Sequence, residues 1–171
     1  MYVDFEKLPD HARLWIYLAE RPLSQEEEKT IDATLREFMN VWAAHGEPLQ
    51  ASFKIVDRHF VVLAVDEHVH KASGCSIDAS VHAMKEVSRQ TGIDFFNRNL
   101  VPFQQAGHDV LLILRSELKQ KLATGVWNAR TITFNILADT VGAYRTNWTI
   151  PAEKSWLSRY LNTVSTGSLA R

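Results

Sequence analysis

His59-Phe60-Val61-Val62-Leu63-Ala64-Val65 is apolar at every position after the first, and Asp66-Glu67 stops the run. Successive side chains of a strand point to opposite faces, so a strand with this pattern must be covered on both. That places residues 59–65 in the middle of a sheet. Arg13-Leu14-Trp15-Ile16-Tyr17-Leu18-Ala19 has the same character, ends at Arg21-Pro22, and reads as a second central strand. Ser52-Phe53-Lys54-Ile55-Val56 alternates instead, as an edge strand or one with a wet face does, and Asp57-Arg58 fits a tight connection.

Two helices lie between these strands and the next. Ser24-Gln25-Glu26-Glu27 has the spacing of a capping box, with Ser24 at the N-cap and Glu27 three residues on. Ile31, Leu35, Phe38 and Trp42 follow as one apolar stripe. His45-Gly46, with Pro48 beyond, suits the end of that helix, where His45 can face the C-terminal dipole. A second helix is expected from about Ser76 to Gln90, with Gly92 closing it and Ile77, Val81, Met84 and Val87 on its buried face. Cys75, Asp78 and His82 then fall on the opposite side.

The second half is expected to hold strands at Val101–Gln104 and Asp109–Arg115, with Pro102 pushing the first of these to an edge. A short helix from Ser116 to Ala123 ends at Gly125, and Trp127-Asn128 sits in a loop. A helix is expected over about Thr133 to Asn147, although Gly142 weakens it, and a last helix from Ile150-Pro151-Ala152 with Trp156, Tyr160 and Leu161 as anchors. Residues 162–171, rich in Ser, Thr and Gly, read as a disordered tail.

The order strand, helix, strand, strand, helix, strand is the ferredoxin-like β-α-β-β-α-β pattern, which points to an α+β fold with added C-terminal helices in one domain over residues 1–161. Its sheet order puts the first and third strands in the centre, and these are the two most continuously apolar ones. Chain direction then brings three places to one pole. They are the end of helix one (Trp42, His45), the end of strand three (Asp66, Glu67) and the start of helix two (Ser73, Gly74, Cys75), with Arg13 and Arg115 close by.

Cys75 is the sole cysteine and follows a glycine where a loop turns into a helix. Free N–H groups and the dipole at a helix start can lower a thiol pKa, and Gly74 permits close approach of a ligand. Against that, Asp78 offers a carboxylate to the same N–H groups, and a small buried thiol is the commoner case. His82 lies two turns on, roughly 10 Å of helix rise, too far to pair with the thiol directly.

Whole-chain properties exclude several classes. With 171 residues, 46% apolar and 23% charged, the chain has a globular composition and the length for a proper core. A net charge of −1 gives no general attraction to nucleic acid or anionic membrane. One cysteine permits no internal disulfide and no multi-thiolate zinc site. No apolar run approaches the ~18 residues of a membrane span, and Met1–Glu6 lacks the pattern of a signal peptide, so a soluble cytoplasmic protein is expected. P-loop, dinucleotide-fingerprint, HExxH and GxSxG motifs are absent. His68-x-His70 beside Asp66, Glu67 and His45 lacks the strict spacing of a metal site, so no metal is expected. Five tryptophans without a basic groove argue for packing rather than base stacking.

The combination of W-x-x-H-G (Trp42 to Gly46), A-S-G-C-S-I-D-A-S-V-H (Ala72 to His82), T-x-x-F-N (Thr131 to Asn135) and N-W-x-x-P-A-x-x-S-W (Asn147 to Trp156) resembles a small family of uncharacterised bacterial proteins. Its members often carry the label "ABC transporter ATPase", and the resemblance spans about residues 5–161. It implies no established activity. The label does not carry over, because the chain has no Walker A loop.

Three functions are compatible with this pattern. In a binding module, Trp42, His45, Asp66, Glu67, Ser73, Gly74 and Cys75 hold a small polar molecule or a partner chain. In an enzyme of unknown cofactor, Cys75 is the nucleophile, or His45, Asp66 and Glu67 are acid–base groups. In an assembly protein, an apolar sheet edge or helix face forms a homodimer.

Overall fold

A computed structural model describes residues 1–68 and 74–162. Ser73, His70 and the proposed disordered tail beyond residue 162 therefore lie outside the described residues, and so does the side chain of Cys75. The chain is mixed helix and sheet, an α+β protein, and divides into two compact units. The first comprises residues 1–97 and 136–146, the second residues 98–135 and 147–171. Among the described residues no helix is long and apolar enough to cross a membrane.

In the first unit, strand β1 is Arg13–Leu18 and helix α1 is Gln25–Val41. The short strands β2 (Ala43–Ala44) and β3 (Glu47–Pro48) pair as a hairpin. Strands β4 (Gln50–Val56) and β5 (Phe60–Asp66) follow, then helix α2, Gly74–Thr91. The sheet has the order β1-β5-β4, with Leu14 opposite Ala64 and Phe53 opposite Leu63, all antiparallel. Strand β5 is central, as its apolar run requires. Val61, Leu63 and Val65 pack with Ile31, Leu35 and Met39 of α1 and Met84 and Val87 of α2. Phe60, Val62 and Ala64 are fully buried as well. The turn between β4 and β5 holds Asp57 and Arg58 at positive φ, closed by the His59 N–H donating to the Val56 carbonyl.

The adjacency of residues 13–19 and 59–65 is as expected; the four-stranded ferredoxin-like order is not confirmed. The sheet of the first unit has three strands, and β1 lies at its margin. The place of a fourth strand is taken by one antiparallel bridge, Arg13 to Thr140, with the Leu14 N–H donating to the Asp139 carbonyl at 2.8 Å. Residues 101–104, expected to fill that place, pair in a different sheet.

Helix α1 starts as its capping box dictates. Ser24 Oγ accepts from the Glu27 N–H, and Glu27 returns the bond to the Ser24 N–H at 2.8 Å. Arg21 grips the same carboxylate at 2.7 and 3.1 Å. The guanidinium bond first, and the Ser24 N–H second, hold the Glu27 pKa down at about 2. A depressed carboxylate pKa gives stability that is present above the unfolded value and lost as pH falls through the folded one. Wild type should therefore exceed Glu27→Gln in stability at neutral pH. The gap should close between about pH 4.5 and 2, as read by thermal unfolding across that window. It is small throughout, because the pair is exposed.

The end of α1 departs from expectation. The helix stops at Val41 with Trp42 as C-cap, not at Gly46. His45 and Gly46 are instead the turn residues of the β2–β3 hairpin, with φ of 54° and 84°. Two successive residues at positive φ make the tight turn that suits a two-residue hairpin, so Gly46 serves a hairpin and not a helix end. Helix α2 closes at Gly92, whose N–H donates to the Ser88 carbonyl. Its buried stripe is turned relative to expectation: Ser76 and Ser80 are buried with Met84 and Val87, whereas Ile77 and Val81 are half-buried.

The second unit is built on the sheet β7-β6-β8-β9. Its strands are β6 (Leu100–Gln104), β7 (Val110–Leu114), β8 (Ile132–Phe134) and β9 (Thr149–Pro151). Helix α3, Leu118–Ala123, follows β7. Its core is Val101, Phe103, Ile113, Leu118, Trp127, Ala152 and Leu157. Here β6 is interior, not an edge, in spite of Pro102. The β6–β8 pairing is a single register position, Phe103 to Thr133, and it uses Pro102 only as an acceptor. Thr133 Oγ1 also donates to the Pro102 carbonyl, at 2.7 Å.

Two helices expected here are also corrected. The β-branched and aromatic residues 132–134 form β8, and helix α4 is only Val141–Asn147. Gly142 in α4 belongs with the first unit, where an added Cβ would stand 2.9 Å from Asp10 Cβ. Residues 149–151 are β9 rather than a helix start. A 3-10 turn at Ala152–Lys154 and the one-turn helix α5, Ser158–Leu161, complete the unit.

Candidate functional site

Within the first unit, hydrogen bonds bring the expected pole together from distant parts of the sequence. The Trp42 carbonyl accepts from the Leu49 N–H at 3.0 Å, next to Gln50, which is paired with Asp66. The Trp42 indole N–H donates to the Ser76 carbonyl in the first turn of α2 at 2.9 Å. The end of α1, the end of β5 and the start of α2 thus share one side, with Gly74 opening α2.

The residues differ in what they can do there. Trp42 is buried against Phe38 and Trp15, at ring separations of 5.0 and 6.2 Å, so it is a wall of the core and not a contact surface. His45 projects from the exposed hairpin turn, which removes its expected role at a helix C-terminus. Arg115 belongs to the second unit, where it lies over the Trp156 ring. On α2, Asp78 and His82 are exposed, as the helical spacing required.

Asp66 and Glu67 are joined by two histidines: His68, which the sequence set beside them, and His11, which it did not single out. Asp66 Oδ1 accepts from His11 Nε2 at 3.2 Å and from the His68 backbone N–H at 2.9 Å. The two imidazole rings stand 5.2 Å apart. Beside them, Arg13 Nη1 approaches Glu67 Oε1 at 3.5 Å while its guanidinium lies over the Trp15 ring. Glu67 Oε1 is buried and accepts no hydrogen bond among the described residues. A signal for His11 existed: extending the β1–β5 register two residues beyond Arg13↔Val65 sets His11 opposite Glu67.

The chemistry of this cluster follows from its donors and acceptors. A carboxylate only accepts, so the His11 imidazole donates to Asp66 from Nε2. Asp66 Oδ2 receives no hydrogen bond from a described residue. Among the described residues the cluster therefore presents acceptors, with one guanidinium beside two carboxylates. Among the described residues no group of three His, Cys, Asp or Glu side chains is placed to hold a metal ion. No family model, curated protein or solved structure matches the chain.

Proposed function

We propose that this protein is a binding module whose site is the pole at the ends of β1 and β5, and that it takes a small polar molecule rich in hydrogen-bond donors. The observation that carries the reading is Asp66, held in place through Oδ1 by His11 and the His68 N–H, with Oδ2 bonded to no described residue. Fixed acceptors are what a site needs to orient a polar ligand at low entropic cost. The β-α-β-β-α part of a ferredoxin-like fold presents them, with soluble cytoplasmic use and the family resemblance as parts of the same proposal.

The test is a thermal-shift screen of amines, amino acids and other small polar metabolites against wild type and Asp66→Asn. Ligand at 100 times its dissociation constant adds about 2.7 kcal/mol, which raises Tm by roughly 5–10 °C in a chain of this size. Wild type should shift with one chemical class, and Asp66→Asn should lose the shift while keeping its own unfolding transition. Equal shifts in both proteins, or none across the panel, would reject the site.

The His11–Asp66 pair also favours a second reading, an acid–base enzyme. In it His11 Nδ1 takes a proton from a bound substrate and Asp66 steadies the imidazolium, in the place first expected for His45. Turnover of a ligand found in the screen, abolished in His11→Gln with binding retained, separates catalysis from binding.

A further inference from the structure

We infer that the free edge of β7 is a two-fold interface, and that its occupant is β7 of a second copy of this chain. The surface lies in the second unit and is independent of the pole site. Asn99 accepts from the Arg115 N–H, and Asp109 accepts from the Gln105 N–H, each at the position fixed by the β6–β7 register. Odd-numbered residues of β7 therefore point their backbone groups at β6. The N–H and C=O groups of Val110, Leu112 and Leu114 point the other way, and no described residue hydrogen-bonds to them there.

An open edge of this kind is a template for another strand, and proteins that avoid such pairing place Lys, Pro or a bulge on it. Within Val110–Leu114 all five residues are aliphatic, Leu114 is 42% exposed, and Val110 and Leu112 are half-buried. An incoming extended strand would satisfy the backbone groups by β-augmentation.

The sequence of this edge selects a second copy over an unrelated segment. It reads Asp109-Val110-Leu111-Leu112-Ile113-Leu114-Arg115. Antiparallel pairing about a two-fold axis at Leu112 sets Leu112 against Leu112 of the other copy and Val110 against Leu114. It also sets Asp109 against Arg115 at both ends. Apolar residues meet apolar ones, and each terminal charge meets its opposite. The even-numbered pairs are the hydrogen-bonded ones in this register, so the groups left free are those that become bonded. Asp109 and Arg115 are both exposed; Asp109 has no side-chain partner among the described residues, and Arg115 lies over the Trp156 ring, a stacking that leaves its N–H groups able to donate. A closed two-fold contact of this kind consumes both edges and stops at a dimer.

Analytical ultracentrifugation of the full chain over a concentration series tests this. Wild type should sediment as a reversible dimer. Arg115→Glu puts two carboxylates opposite each other at both ends and should weaken the dimer about tenfold, since like charges directly opposite across two strands are destabilising. The double variant Asp109→Arg with Arg115→Glu restores opposite charges and should restore the dimer. Leu112→Lys should leave monomer; the exposed charge variants keep the test decisive if that substitution unfolds the unit. A wild type that stays monomeric overturns the inference and leaves the edge to an extended segment of another protein. A dimer indifferent to these substitutions, or no rescue in the double variant, overturns it too.

Discussion

Trp42→Ala should destabilise the first unit by about 3–5 kcal/mol, the usual cost of deleting a large buried aromatic side chain. Trp42 is 2% exposed and packs in the core between the sheet and the two long helices. Its indole N–H is also the link between the C-cap of α1 and the first turn of α2, through the Ser76 carbonyl at 2.9 Å. Trp42→Phe keeps most of the ring packing and removes only the donor, which should cost about 1 kcal/mol. Urea unfolding of the three proteins separates the two contributions, provided the slopes agree. A cost below about 1 kcal/mol for the alanine variant would show that the site relaxes around the cavity, and that Trp42 does not hold the pole together.

In the second unit, Trp127→Ala should have an effect of the same size, about 3–5 kcal/mol. Trp127 stands in a loop yet is fully buried. It rests on Phe103 of β6 at 5.5 Å and meets Tyr160 edge-on at 6.5 Å, while its indole N–H donates to the Leu118 carbonyl at 2.9 Å. One side chain therefore ties the central strand of the sheet, the start of α3 and helix α5. Hydrogen exchange is the direct measurement. Protection of the β6 and β7 amides should fall by the free energy lost. Unchanged protection in both strands would mean that the loop carries Trp127 without bracing the sheet.

Several elements were legible in the residues because their causes are local. The capping box of Ser24 and Glu27 announces the start of α1 within four residues. The unbroken run at 60–65 requires burial on both faces, which only the middle of a sheet offers. From that run and the apolar strand at 14–18, the pairing of β1 with β5 followed, and with it the convergence of Trp42, Asp66 and the start of α2. Asp66 and Glu67 were legible as candidate residues of that pole on the same ground: they end a strand whose direction was known.

Other features depend on partners far away in the sequence. Gly46 suits a helix end and a hairpin turn equally, and the pairing of Ala43–Ala44 with Glu47–Pro48 decided for the hairpin, which carried His45 away from the helix terminus. Pro102 reads as an edge residue only until the partner strand is known to need nothing but its carbonyl. His11 became part of the candidate site because β1 pairs antiparallel with β5 and the register carries it past the strand end to a place opposite Glu67, where its ring reaches Asp66. The sequence by itself determined that residues 60–65 form a strand with two buried faces, where the first long helix starts and where the second ends; it also expected a central place for residues 13–19, which the structure sets at the margin of the sheet. Tertiary structure alone decided that the expected fourth strand joins a second sheet, that a bridge at Thr140 stands in its place beside β1, and that a histidine outside any strand completes the pole. Periodicity reports how a segment is buried, whereas strand partnership is a choice among distant edges of similar hydrogen-bonding capacity, settled only when all of them compete at once.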